Sequence, residues 1–392
     1  MRKTSKSETS KSETSKSETS TPTTSKTPTK RQILHGFAAL GAAAWSTGQA
    51  PHASASEGKG SEGGSAKAGA LATDSFRVPT EDPAVSLYVR NKRPAGMTAF
   101  PADRILLYVH GATYPASTSF DLPLNGLSMM DYLAGQGFDV YLVDLPGYGF
   151  SDRPHQMSAP AGDNKPFLRT VESARAVGLA VEAILKRRGV DKLNLMGWSW
   201  GTSTMGLYTS ENNAKVNRLV LYAPQWLATA PLNLGNTGPL GAYRTVSRDS
   251  AKERWLKGVP EDKKAGLIPP GWFEQWADAT FATDTVGAAR TPPVLRAPNG
   301  ILADSQDYWQ AGKPLYDPGL IRVPTLVIHA EWDADLPSYQ AQGYFTKLTA
   351  APYKRFVELG EGTHTVMMEK NRMQFFRAVA AFLEEENPTA LE

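Results

Sequence analysis

Leu193-Asn194-Leu195-Met196-Gly197-Trp198-Ser199-Trp200-Gly201-Thr202 is the stretch whose reading decides the fold of this chain. Residues 193–196 form a short apolar run of strand type, and a helical pattern begins at about Thr202. Between them lies Gly-x-Ser-x-Gly. As a bare string it is weak, because at average usage it arises by chance in roughly one chain of this length in ten. Its setting between a strand and a helix gives it weight. A turn that sharp leaves no room for side chains two residues before and two residues after the serine, which accounts for Gly197 and Gly201. Ser199 is then expected in a strained backbone conformation with its hydroxyl thrust out at the end of a strand.

Outward from this stretch the chain alternates strand-like and helix-like segments, the signature of an α/β fold with a mostly parallel sheet flanked by helices. Residues 85–89 read as an early strand. Residues 105–109 and 140–143 are continuous apolar runs, as strands covered on both faces require. Helical patterns cover residues 126–134 and 171–187. Three further strands are expected at 218–222, 325–329 and 355–358, with a closing helix at about 365–385. Residues 224–322 break the alternation. They are rich in aromatics, Pro and Gly, and so long a stretch without structure of its own would be unusual inside a compact domain. They are expected to form a mainly helical cap inserted between two strands, dividing the core into residues 76–223 and 323–392.

The chain has 392 residues, 42 Lys and Arg against 39 Asp and Glu, and a net charge of +3. The first 31 residues hold eight Lys or Arg and three Glu, so the remainder is slightly acidic. A near-neutral body offers no clustered basic face, and no nucleic-acid partner is expected. No apolar run approaches the 18 residues of a membrane span, so stable membrane insertion is not expected either. The absence of cysteine excludes disulfides, thiolate nucleophiles and Cys-ligated metals. Residues 5–20 repeat Ser-Lys-Ser-Glu-Thr, a polar sequence with nothing to bury. Lys30-Arg31, the mildly apolar residues 36–44 and Ala53-Ser54-Ala55 follow in the order of a secretory signal. Residues 1–55 are therefore expected to be a disordered leader with an export signal that resembles the twin-arginine type, directing the protein to the periplasm or the medium. Residues 56–75 are expected to be a linker.

A serine hydroxyl becomes a useful nucleophile only when a neighbouring base takes its proton. Of six histidines, His35 and His52 lie in the leader and His155 in a loop. His110 and His329 close strands and suit a hydrogen-bonding scaffold. His364 lies in the glycine-bearing loop Gly360-Glu361-Gly362-Thr363-His364, between the last strand and the last helix, and is the candidate base. An imidazole in that role needs a carboxylate to set its tautomer. The turn after residues 325–329 offers Glu331, Asp333 and Asp335. Asp333 is favoured by the length of the turn, with Asp335 the alternative and Glu331 directed to solvent. Two backbone N–H groups should stabilise the oxyanion, one from Trp200 after the nucleophile and one from Ala112 in His110-Gly111-Ala112-Thr113.

His110-Gly111, Asp144-Leu145-Pro146-Gly147-Tyr148-Gly149-Phe150-Ser151, the Ser199 turn, the Asp333 turn and the His364 loop together resemble the capped α/β-hydrolases, in that family's order and over residues of about 100 to 385. The order Ser199, Asp333, His364 is also that family's. Gly-x-Ser-Trp-Gly is similar to the elbow of proline iminopeptidases, although those carry His-Gly-Gly-Pro-Gly where this chain has His110-Gly111-Ala112-Thr113. Epoxide hydrolases and haloalkane dehalogenases of the family use aspartate as nucleophile, so Ser199 argues against those chemistries. The Asp144–Ser151 stretch reads as a structural turn. The expected activity is hydrolysis of a small apolar ester or lactone through an acyl-enzyme. Trp198 and Trp226 are candidates for the substrate walls, and no cofactor or metal is implied. Arg290 or Arg296 could bind a substrate carboxylate, but a surface role is expected for them. Amide hydrolysis of iminopeptidase type, or a catalytically silent binding protein on the same fold, are the alternatives.

Overall fold

The computed structural model describes residues 69–232, 234 and 239–389. The expected leader, its export signal and most of the linker lie outside the described residues. Eight strands form the central sheet: β1 (Leu71–Pro79), β2 (Ser86–Pro94), β3 (Ile105–Val109), β4 (Asp139–Asp144), β5 (Leu193–Trp198), β6 (Val216–Tyr222), β9 (Thr325–Ala330) and β10 (Lys354–Leu359). A separate two-stranded ribbon is made of β7 (Tyr243–Val246) and β8 (Leu295–Pro298). The large sheet has the order β1-β2-β4-β3-β5-β6-β9-β10. From β4 to β10 every pairing is parallel, while β1 and β2 add an antiparallel edge.

The apolar runs explain the layering. Every residue of β3, β4 and β5 is buried, because helices cover both sheet faces. Along β3, side chains alternate between layers. Ile105, Leu107 and Val109 pack with Val177, Val181 and Ile184 of the helix Thr170–Arg188. Leu106 and Tyr108 pack on the opposite face with Met130 and Leu133 and with Phe375 and Phe376 of the helix Arg372–Glu384. The helix Thr170–Arg188 closes with Gly189 at φ 65°, a left-handed cap that glycine adopts without strain. Its last residue, Arg188, makes a two-pronged pair with buried Asp139 at the start of β4, at 2.6 and 2.8 Å.

Strand β1 starts at Leu71, inside the segment expected to be a linker. Strand β1 pairs with β2 over its whole length, from Leu71↔Pro94 to Pro79↔Ser86. It is a half-exposed edge strand, and its Thr73, Asp74 and Ser75 have the composition of a linker. Between β6 and β9, residues 223–324 form an insertion with the helices Arg248–Trp255, Glu261–Leu267 and Trp272–Ala282. The β7–β8 ribbon within it was not anticipated from the mainly helical expectation. Arg296 on β8 is buried and engages Asp284 with two guanidinium nitrogens, at 2.9 and 2.6 Å, so its assignment to the surface is corrected. Trp255, Phe273 and Trp276 of the insertion pack on one another at centroid distances of 4.8 to 5.6 Å, and Trp276 meets Tyr114 edge-on at 4.6 Å. Most of the aromatic content of the insertion thus packs it against itself and the loop after β3.

The Asp144–Ser151 stretch is a turn folded around its own acid. Asp144 accepts the amides of Ser117 at 3.0 Å and Phe150 at 2.9 Å, and a Cβ on Gly149, at φ 51°, would lie 2.0 Å from its carboxylate. Replacing Asp144 by alanine strands these donors in the interior and should destabilise the protein by about 3 kcal/mol. Urea unfolding of Asp144→Ala beside the native protein reads this out as a lower midpoint.

Candidate active site

Ser199 sits at φ 57°, ψ −126°, a conformation that L-residues seldom adopt, and its amide donates to the Tyr222 carbonyl at 2.9 Å. The surrounding glycines make this geometry possible. A Cβ on Gly197 would fall 2.3 Å from the Gly201 carbonyl oxygen, and one on Gly201 would fall 2.5 Å from the His110 carbonyl oxygen. A Cβ on Gly111 would lie 2.8 Å from the Ser199 Cβ, so the loop after β3 rests directly on the serine.

The structure brings His364 and Asp333 together. His364 Nδ1 and Asp333 Oδ2 are 2.7 Å apart, and both residues are buried. The other carboxylate oxygen of Asp333 accepts the amides of Asp335 at 3.0 Å and Leu336 at 2.9 Å, which ties the acid to its own turn. With Nδ1 donating to a carboxylate, Nε2 is left as the basic nitrogen, and it is buried with no partner among the described residues. The loop of His364 is bonded to the chain beside Ser199: Trp198 Nε1 donates to the His364 carbonyl at 2.9 Å, and the Tyr222 hydroxyl to the Thr363 carbonyl at 2.6 Å.

The competing acids are engaged elsewhere. Asp335 pairs with Arg254. Glu331 is exposed, in line with the solvent-facing expectation, and also accepts the Glu361 amide at 2.9 Å, bracing the loop that carries His364. His110 and His329 are scaffold residues. His110 Nε2 accepts the Leu145 amide at 3.1 Å, and burial lowers the basicity of this ring. His329 Nε2 donates to the Leu336 carbonyl at 3.0 Å, at the far end of the Asp333 turn.

The amides of Ala112 and Trp200 have no hydrogen-bond partner among the described residues. Trp200 opens the helix Trp200–Glu211, where the first N–H groups lack intrahelical acceptors. The two tryptophans expected as substrate walls have other contacts. Trp198 is buried and its indole holds the His364 backbone. Trp226 packs edge-on against Tyr344 and Tyr316 at 5.3 and 6.3 Å, and its amide donates to the Gln340 side chain at 3.0 Å. Those contacts describe packing positions for both rings. Arg290 is exposed.

Glu369 was not singled out in the sequence. It is buried below the His364 loop, where it accepts the Thr363 amide at 3.0 Å and the Thr365 hydroxyl at 2.9 Å, and also the Thr363 hydroxyl. Burial, followed by a smaller push from the Asp333 charge, raises its carboxyl to about 7 against the opposing hydrogen bonds. Only its position, five residues after the candidate base, could have signalled it.

A profile described as alpha/beta hydrolase fold matches residues 104–371. Juvenile hormone epoxide hydrolase from Manduca sexta is 33% identical over 98 residues, a match covering 25% of this chain and 18% of that protein. Among solved structures, a serine hydrolase involved in carbazole degradation aligns with TM-score 0.52 at 18% identity, covering 80% of this chain and 99% of the other. A thermophilic esterase from Thermogutta terrifontis aligns with TM-score 0.50 at 15% identity, covering 79% and 98%. The chain belongs to the α/β-hydrolase fold family.

The raised Glu369 carboxyl has a consequence for stability. A carboxyl that holds its proton more tightly when folded contributes most below its unfolded value of 4.5, and the contribution is lost as pH rises toward about 7. The loss should reach on the order of 3 kcal/mol. Glu369→Gln, which keeps the shape of the neutral acid, should show a flatter stability profile between pH 4.5 and 8 in urea titrations than the native protein.

Proposed function

We propose that the protein hydrolyses a carboxylic ester or lactone bearing an apolar group, through an acyl-enzyme formed on Ser199. The observation that carries this reading is the imidazole of His364, bonded through Nδ1 to Asp333 and bare at Nε2, in a loop bonded to the residue beside Ser199. His364 Nε2 takes the proton of Ser199 as its oxygen attacks the carbonyl carbon. The amides of Ala112 and Trp200 receive the charge that gathers on the carbonyl oxygen. His364 then gives its proton to the departing alkoxide, and a water molecule repeats the sequence to release the acid. Asp333 keeps the imidazole in the required tautomer and offsets the positive charge it acquires.

The ester reading is favoured over an aminopeptidase by the state of the buried acids in the insertion. Asp284 is bound to Arg296, and Asp304 to Arg169 and the Thr170 amide. Neither is free to hold a substrate ammonium group. Serine at 199 separates this reading from the epoxide hydrolases, which use aspartate there. The carbazole-pathway serine hydrolase and the esterase that share the fold are in keeping with it.

A fluorophosphonate probe should label the native protein and leave Ser199→Ala unlabelled. Ser199→Ala and His364→Ala should each lower kcat on short-chain nitrophenyl esters by about 10⁴-fold or more. Aminoacyl nitroanilides, run in parallel, should turn over far more slowly than the esters. Labelling that survives Ser199→Ala would refute the assignment of the nucleophile, and faster turnover of the anilides would refute the ester preference.

A further inference from the structure

Arg244 on β7 is buried to 4% exposure, and all its partners are neutral. Its Nη2 donates to the Ala112 carbonyl at 2.7 Å and to the Thr113 hydroxyl at 2.9 Å. Its Nη1 donates to the Pro298 carbonyl at 2.8 Å, with longer contacts to the Ala297 carbonyl and the Asn299 side chain at 3.5 and 3.4 Å. Its Nε is buried without a partner among the described residues. The contrast with other arginines is informative. Arg188, Arg254 and Arg296 each meet a buried carboxylate, namely Asp139, Asp335 and Asp284. An interior cation with no counter-ion is costly, and it persists where something else makes use of the charge. Burial draws Arg244 down to about 10, so it remains a cation at neutral pH.

We propose that Arg244 is a positioning residue for the oxyanion: it clamps the Ala112 residue and sets an uncompensated positive charge behind the amide that receives the developing negative charge. The inference rests on the acyl-enzyme reading above. The clamp has two jaws, since the Tyr148 hydroxyl also donates to the Ala112 carbonyl at 2.7 Å. Both lone pairs of that carbonyl are therefore used, while contact with Ser199 fixes the preceding Gly111 from the other side. Ala112 is held with its own amide free. The charge acts differentially. A neutral ester carbonyl gains little from a nearby cation, whereas the tetrahedral oxyanion gains a great deal in a site closed to water. Because Arg244 belongs to the insertion and Ala112 to the loop after β3, the same contact makes the oxyanion site depend on how the insertion is seated.

The test compares Arg244→Met, Arg244→Lys and Tyr148→Phe in the full chain. Active sites are titrated with fluorophosphonate, and kcat, KM, melting temperature and the affinity of an alkylboronic acid, which forms an anionic tetrahedral adduct on serine, are measured. Arg244→Met should lower kcat roughly 30- to 100-fold and weaken the boronate by a similar factor, with KM within about threefold. Arg244→Lys should recover most of both losses. Tyr148→Phe, which removes a hydrogen bond and no charge, should cost only a few-fold. Should the methionine variant fail to fold, Arg244→Gln carries the same expectation, since it also lacks the charge. A folded neutral variant with kcat within twofold of native would overturn the proposal, as would a lysine variant no better than the neutral one. Absence of labelling in the native protein would instead remove the acyl-enzyme reading itself.

Discussion

Three main-chain segments converge on Ser199 so closely that no side chain fits between them, and this contact is the constraint on which the rest of the site depends. The end of β5, the start of the helix Trp200–Glu211 and the loop after β3 approach to within what would be Cβ overlap at Gly197, Gly201 and Gly111. The serine pays for that convergence with a positive φ. Its strain is held by the parallel pairing of β5 with β3 and β6, whose registers bring Gly197 opposite Val109 and Leu221. A sheet buried on both faces supplies the rigidity that such a turn needs, since every strand involved is locked by packing from two sides.

Four acids close to the candidate base have four separate partners. Asp333 faces the imidazole, Asp335 faces Arg254, Glu331 takes a backbone amide of the next loop, and Glu369 holds the two threonines flanking His364. This division leaves Asp333 as the carboxylate hydrogen-bonded to the imidazole. Each carboxylate is positioned by donors of its own, so the orientation of Asp333 does not depend on the imidazole alone.

The parts of this arrangement that were legible in the sequence are those enforced by local chemistry. Paired glycines around a serine, apolar runs of strand length and a histidine in a glycine-bearing loop announce themselves within a few residues. Strand β3 was read to the residue, at Ile105–Val109. What escaped depends on partners distant in the chain. Strand β1 has a polar, half-exposed face, so its composition resembles that of a linker until β2 is placed beside it. Trp198 neighbours the nucleophile in sequence, but the sign of its contribution rests on a carbonyl 166 residues away. Arg244 and Glu369 are charged residues whose burial no local pattern betrays, because the groups that bury them come from other elements.

Ser199 lies before the insertion, and Asp333 and His364 lie after it. Strands β6 and β9 are neighbours in the sheet, yet residues 223–324 run between them. Closing so long an excursion costs little more than closing a short one, because the entropic penalty grows only logarithmically with length. The expense is one of timing. A growing polypeptide carries β1 to β6, and Ser199 with them, before β9 and β10 exist. Asp333 and His364 therefore reach Ser199 only with the carboxyl-terminal strands, and the three residues cannot meet before residue 364 has been added.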